Sequence, residues 1–171
     1  MKGRAQIMTT LSIIPTFQVS PDNDVVTTEI FISAPRERVF EALTVAKKAA
    51  QWWGQKEGHH LVDFNLDPRV GGKWSTSGSS QKMGATKIEG EILEFDPPRR
   101  LAYTWLSSWM PKNTKVLWEL ENRDGGTLVK LTHTGFAGDT EQTKSHSIGW
   151  TSVLGWLQAY AERGETIASR K

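Results

Sequence analysis

The chain has 171 residues, with 21 lysines and arginines against 19 acidic residues, no cysteine and eight tryptophans. Four of the basic residues, Lys2, Arg4, Arg170 and Lys171, sit at the two ends, so the body is slightly acidic and shows no basic face dense enough for nucleic acid. The lack of cysteine excludes a disulfide framework, a thiol nucleophile and thiolate-bound zinc; no apolar run approaches the roughly 18 residues of a membrane span, and a cytoplasmic domain with a real core is expected.

Residues 1–22 lack periodicity and end in Ser20-Pro21-Asp22, which reads as a mobile arm. The opening MKGRAQIMTTLSIIPTF is interrupted by Gln6, Thr9, Thr10, Ser12 and Pro15 and has no small-x-small cleavage site, so it does not read as a signal peptide. Val26, Thr28, Ile30 and Ile32 then alternate as in a half-buried strand, expected at the edge of a sheet. Pro35 suits the first turn of a short helix with Val39, Phe40 and Leu43 on its apolar side. A second short helix follows, with Thr44 as its cap, Ala46, Ala49, Ala50 and Trp53 on one face and Gly54 at its end.

From Leu61 the period changes to two. Val62, Phe64 and Leu66 begin a series of short strands; the others are marked by Trp74, by Ile88 and Ile92, by Leu101, Tyr103 and Trp105, by Val116, Trp118 and Leu120, and by Val129, Leu131 and His133. Asp67-Pro68, Asp96-Pro97-Pro98 and Asp124-Gly125-Gly126 separate strands, Ser77 to Gln81 reads as a loop, and the loop Ser107 to Asn113 carries Trp109 and Met110. Six such strands joined by turns, plus the first, predict a seven-stranded antiparallel sheet.

The last element is the longest. In Asp139 to Gly164, Thr143, His146, Trp150, Val153, Leu154, Leu157 and Ala161 fall on one helical stripe, with Ile148 and Ser152 on the far side. Asp139 can cap the start with Gln142 reaching back, and Gly164 is the expected stop. A sheet with one apolar face must be covered, and only this helix is long enough to cover it. Its stripe is apolar toward the C-terminus but holds a threonine and a histidine toward the N-terminus, as a helix over a partly polar hollow would. Gly149, beside Trp150, is expected to admit a close approach of sheet or ligand.

Along residues 24–163 the chain resembles the START-like (SRPBCC, helix-grip) superfamily, in the branch related to the activator of the heat-shock-protein-90 ATPase. The resemblance rests on Ala34-Pro35 with Val39-Phe40 and Ala42-Leu43, Trp52-Trp53-Gly54, Pro68 with Gly71-Gly72-Lys73-Trp74, Gly90, Pro97 to Leu101 with Thr104-Trp105, Gly125 to Leu128, Leu131-Thr132-His133 with Gly135-Phe136, and His146 with Gly149-Trp150. It implies an α+β helix-grip fold: a curved seven-stranded sheet, two short helices and a long C-terminal helix, with a ligand cavity between sheet and helix. The domain is then residues 23–165, between the arm and a tail at 166–171. Gln55 stands where the family usually has proline, and the family's eukaryotic co-chaperones carry a large extra N-terminal domain that a 22-residue arm does not supply.

Trp74, Tyr103, Trp105, Trp118 and Trp150 share the inward phase with His133 and His146, and these seven are the expected ligand-binding residues. Buried indole N–H and phenol O–H groups need partners, which a cavity holding water or ligand would supply. The expected partner is a hydrophobic or aromatic small molecule, with no cofactor, metal or catalytic residue assigned. One alternative is a cyclase or hydrolase in which His133 and His146 act as acid and base across the cavity, against a plain role as satisfied buried histidines. Another, implied by the resemblance, is a co-chaperone-like partner surface; a homodimer through the loop bearing Trp109 is also open. His59, His60 and Asp63 look ligand-like, but in an extended segment they spread too far to share a metal.

Overall fold

The computed structural model describes residues 12–58 and 60–170. Eight strands form one antiparallel sheet: β1 (Thr16–Val19), β2 (Val25–Ile32), β3 (His60–Leu66), β4 (Lys73–Ser80), β5 (Gly84–Asp96), β6 (Arg100–Ser107), β7 (Met110–Arg123) and β8 (Gly126–Thr134). Their order across the sheet is β1-β2-β8-β7-β6-β5-β4-β3. Helices α1 (Arg36–Thr44) and α2 (Ala46–Trp52) connect β2 to β3, and α3 (Thr140–Arg163) comes last. The α+β class and the long terminal helix are as expected.

The sheet has eight strands rather than seven, and the extra one lies inside the stretch read as an arm. Thr16, Phe17 and Gln18 are exposed, so β1 has no apolar alternation; backbone pairing with Val26 to Glu29 holds it in place. It also takes the edge expected for β2, which is flanked by β1 and β8. Residues 1–11 of the arm, and His59, lie outside the described residues.

Two predicted loops are mostly strand. β4 continues through Ser80, pairing Gly78 with Thr86 and Ser79 with Ala85, because serines and glycine satisfy a ladder through their backbone without an apolar pattern. The loop bearing Trp109 shrinks to a turn at Ser108 and Trp109, since β7 already begins at the buried Met110. Thr44 closes α1 instead of capping α2: its hydroxyl donates to Phe40 O at 2.9 Å.

Helix α3 follows its sequence closely. The Asp139 carboxylate accepts from the Gln142 N–H at 3.1 Å, and Gly164 adopts φ +67° as the left-handed stop. The seven stripe residues are buried, whereas Ile148 is exposed on the far side. The Gln142 side chain does not complete the capping box, its Oε1 having no partner among the described residues. Beyond α3 the chain returns to α2: the Ile167 N–H donates to Gln51 O at 2.9 Å, and the Arg170 guanidinium donates to Trp52 O and Gly54 O while lying 5.4 Å from the Trp156 ring centre. The C-terminal segment therefore fastens the end of α2 to α3.

One cross-strand pair sets the sheet's interior. Trp74 on β4 pairs with Gly90 on β5, and its indole N–H reaches over that glycine to Thr104 O on β6 at 3.0 Å. A Cβ on Gly90 would lie 1.9 Å from Thr104 O and 2.6 Å from Trp74 Nε1, so only glycine lets the indole cross.

Candidate ligand-binding cleft

Trp150, at the middle of α3, is the centre of an aromatic cluster. Its ring lies 5.2 Å from Trp105, 5.8 Å from Trp118, 5.9 Å from His133 and 6.0 Å from Trp53, centre to centre. Its N–H donates to His133 Nδ1 at 3.1 Å. That acceptor role places the His133 proton on Nε2, which lies 2.7 Å from Thr114 Oγ1, and the Thr114 hydroxyl donates onward to Trp105 O at 3.0 Å. The chain of donors runs from helix to sheet and ends on a backbone carbonyl.

His133 is thus fully committed. Burial, and secondarily the nearby His146, hold its pKa well below the ordinary imidazole value, and protonation of Nδ1 would set two N–H groups against each other. The two histidines do not face each other across open space. Their rings pack edge to face at 5.0 Å, with Phe136 against both. His146 is also lowered by burial, partly offset by a hydrogen bond between Nδ1 and Gln142 O at 2.9 Å.

Beside this cluster a cleft of about 260 Å³ opens along the N-terminal half of α3. Five indoles, Trp53, Trp105, Trp109, Trp150 and Trp156, line it together with Ile88, His146 and Gly149. Its rim at Gln55, Met83 and Ser152 is exposed, so it is an open cleft and not a sealed chamber. A Cβ on Gly149 would meet nothing within 4 Å, so the sheet makes no close approach there, and the glycine leaves open space at the cleft wall.

The seven expected binding residues are all buried, and the cleft lining separates them. Trp105, His146 and Trp150 line the cleft; Tyr103, Trp118 and His133 stand in the packed interior behind it. Tyr103 is shifted upward by burial, and its oxygen accepts from the Trp118 N–H at 2.9 Å. Trp74 instead borders a larger hollow of about 680 Å³ on the outward side of β4, β5 and β6, among Lys73, Glu89 and Glu91. That hollow is larger but carries charged, exposed side chains; the smaller cleft has the aromatic walls and the buried polar atoms.

A family model described as "Activator of Hsp90 ATPase homolog 1-like protein" matches residues 33–162, well over half of the chain. The chain belongs to this family. No curated protein matches it significantly. Among solved structures, the chain is similar to protein Ms6760 of Mycobacterium smegmatis, at 16% identity with a TM-score of 0.75, covering 86% of this chain and 96% of that one. It is also similar to the AHSA1-like protein of Aeromonas hydrophila, at 19% identity and TM-score 0.66, covering 80% and 90%. DynU16, a protein of the dynemicin biosynthetic locus, gives 22% identity and TM-score 0.69 over 86% of this chain and 50% of that one. At these identities the likeness establishes the fold shared by this Hsp90-activator-like domain.

Several lining residues of the family member escape a strand-and-helix reading. Gln55 and Met83 come from connecting segments, and Trp156 lies beside the predicted stripe of α3. Only the excess of tryptophans in the composition hinted at Trp156, whereas Trp53 on the second short helix and Trp109 in the loop Ser107 to Asn113 stood out in the sequence without being assigned to the site. Among the described residues no group of three potential ligands gathers to hold a metal, and no helix is long and apolar enough to cross a membrane.

Proposed function

We propose that this domain binds a hydrophobic or aromatic small molecule in the cleft beneath α3, as a cytoplasmic binding protein without catalysis of its own. The observation that carries the reading is a cleft of about 260 Å³ walled by five indoles and one imidazole. A dry apolar cavity of about 150 Å³ suffices for benzene, so this cleft has room for a fused two-ring guest. The commitment of both His133 nitrogens weighs against the acid/base alternative, which needs that ring free. Trp105, His146 and Trp150 are the proposed contact residues, with Tyr103, Trp118 and His133 as the rigid backing that aims them, and Trp74 as part of the sheet that supports Trp105.

A panel of lipids, aromatic acids and polyketides, screened by thermal shift and tryptophan fluorescence, tests this. A ligand at a hundred times its Kd adds about 2.7 kcal/mol of stability, or about 5 to 10 °C in Tm for a domain of this size. Absence of any shift across the panel, together with native mass spectra showing no co-purified small molecule, would remove the reading.

A further inference from the structure

Two polar atoms of the cleft wall have no hydrogen-bond partner among the described residues, Trp105 Nε1 and His146 Nε2. Both side chains are more than nine-tenths buried, at 4% and 7% exposure. Four of the five other buried indoles are satisfied within the protein: Trp52 by Ala42 O, Trp74 by Thr104 O, Trp118 by Tyr103 Oη and Trp150 by His133. Of the eight buried side-chain polar atoms without a partner among the described residues, only these two belong to residues lining the cleft, which calls for a common cause.

Their chemistry is complementary. Trp105 Nε1 can only donate. His146 Nδ1 lies 2.9 Å from Gln142 O, and a carbonyl can only accept, so Nδ1 carries the proton and Nε2 of the neutral ring offers a lone pair. The two rings are neighbours, 6.5 Å apart centre to centre and 75° from coplanar, and both line the same cleft. An atom that accepts from one side and donates to the other is an oxygen that carries hydrogen, a guest's hydroxyl or a water that such a hydroxyl replaces. A carboxylate cannot donate and would set its charge against the His146 lone pair; an ammonium cannot accept; a bare hydrocarbon meets neither need.

We propose that the ligand of this cleft is a hydroxylated aromatic, whose O–H accepts from Trp105 Nε1 and donates to His146 Nε2 while its ring lies among Trp53, Trp150 and Trp156. This deepens the reading of the cleft as an aromatic-binding site and rests on it. Trp109, in the β6–β7 turn, stacks on His146 with ring centres 6.5 Å apart at 27° and lines the same cleft.

Titration calorimetry of the full chain at neutral pH with naphthalene, naphthol and naphthoate tests it. Naphthol binds about tenfold more tightly than naphthalene, the worth of one to two net hydrogen bonds, and naphthoate binds no more tightly than naphthalene. In Trp105→Phe and His146→Phe, which keep a ring in place, the advantage of naphthol over naphthalene falls to about twofold or less. Should either variant fail to fold by circular dichroism, the wild-type series still decides. Equal affinities for naphthol and naphthalene overturn the hydroxyl assignment and leave the aromatic cleft standing. Naphthoate binding as tightly as naphthol also overturns it, since no donor would then be required. Failure of all three to bind removes the cleft reading and this one together.

Discussion

Gly149 and Gly155 offer an internally matched experiment on α3. Both lie inside the helix, and a Cβ on either would meet nothing within 4 Å. Glycine costs about 1 kcal/mol relative to alanine in a helix interior, so Gly149→Ala and Gly155→Ala should each stabilise the domain by about that amount. For a domain of this length the rise in Tm is about 2 to 4 °C, measurable by circular dichroism, with urea denaturation giving the free energy directly. The two variants differ only in where the methyl group goes. Gly149 lines the cleft and Gly155 does not, so Gly149→Ala should weaken binding of a naphthol-sized guest while Gly155→Ala leaves it unchanged. A destabilised Gly149→Ala would mean that a neighbour does approach the helix there. A stabilised Gly149→Ala that binds as well as Gly155→Ala would show that the guest does not sit against this face.

Acid should weaken the fold through its paired imidazoles. Burial lowers both His133 and His146 below the ordinary value of 6.5, so the unfolded chain takes up protons that the native state refuses. Their contribution is complete above about pH 6.5 and is lost as pH falls toward the folded values, at up to about 1.4 kcal/mol per pH unit for each ring. Urea titrations in steps from about pH 7 to pH 5 should show that slope, and His146→Phe should reduce it; an unchanged slope in the variant would contradict the assignment. At the outer wall, Gly90→Ala forces a methyl against Thr104 O and Trp74 Nε1, adding strain to the loss of the indole hydrogen bond. It should cost about 3 kcal/mol or more in urea denaturation, and a cost under about 1 kcal/mol would mean that β5 can yield there.

How much of this could be read along the chain depended on whether side chains or backbone held each element. β2 was legible because Val26, Thr28, Ile30 and Ile32 all face inward and are buried, and α3 because its stripe, cap and stop agree. β1 and the Ser77 to Ser80 end of β4 were not, since their pairing is carried by main-chain groups that leave no apolar period. The inward phase of the aromatic residues was equally legible, yet phase cannot distinguish a ring that packs from a ring that binds. Trp74, Trp105 and Trp118 share that phase and are all buried. What separates them is the fate of one N–H. Trp74 finds Thr104 O two strands away because the facing residue is Gly90, and Trp118 finds Tyr103 Oη on the neighbouring strand, partners fixed by register and not by local pattern. Trp105 finds none, although its own carbonyl closes the chain of donors that immobilises His133 and Trp150 beside it. The cluster satisfies His133, Thr114 and Trp150 beside that indole and so holds them rigid, while the Trp105 N–H and the Nε2 lone pair of His146 are left to a guest.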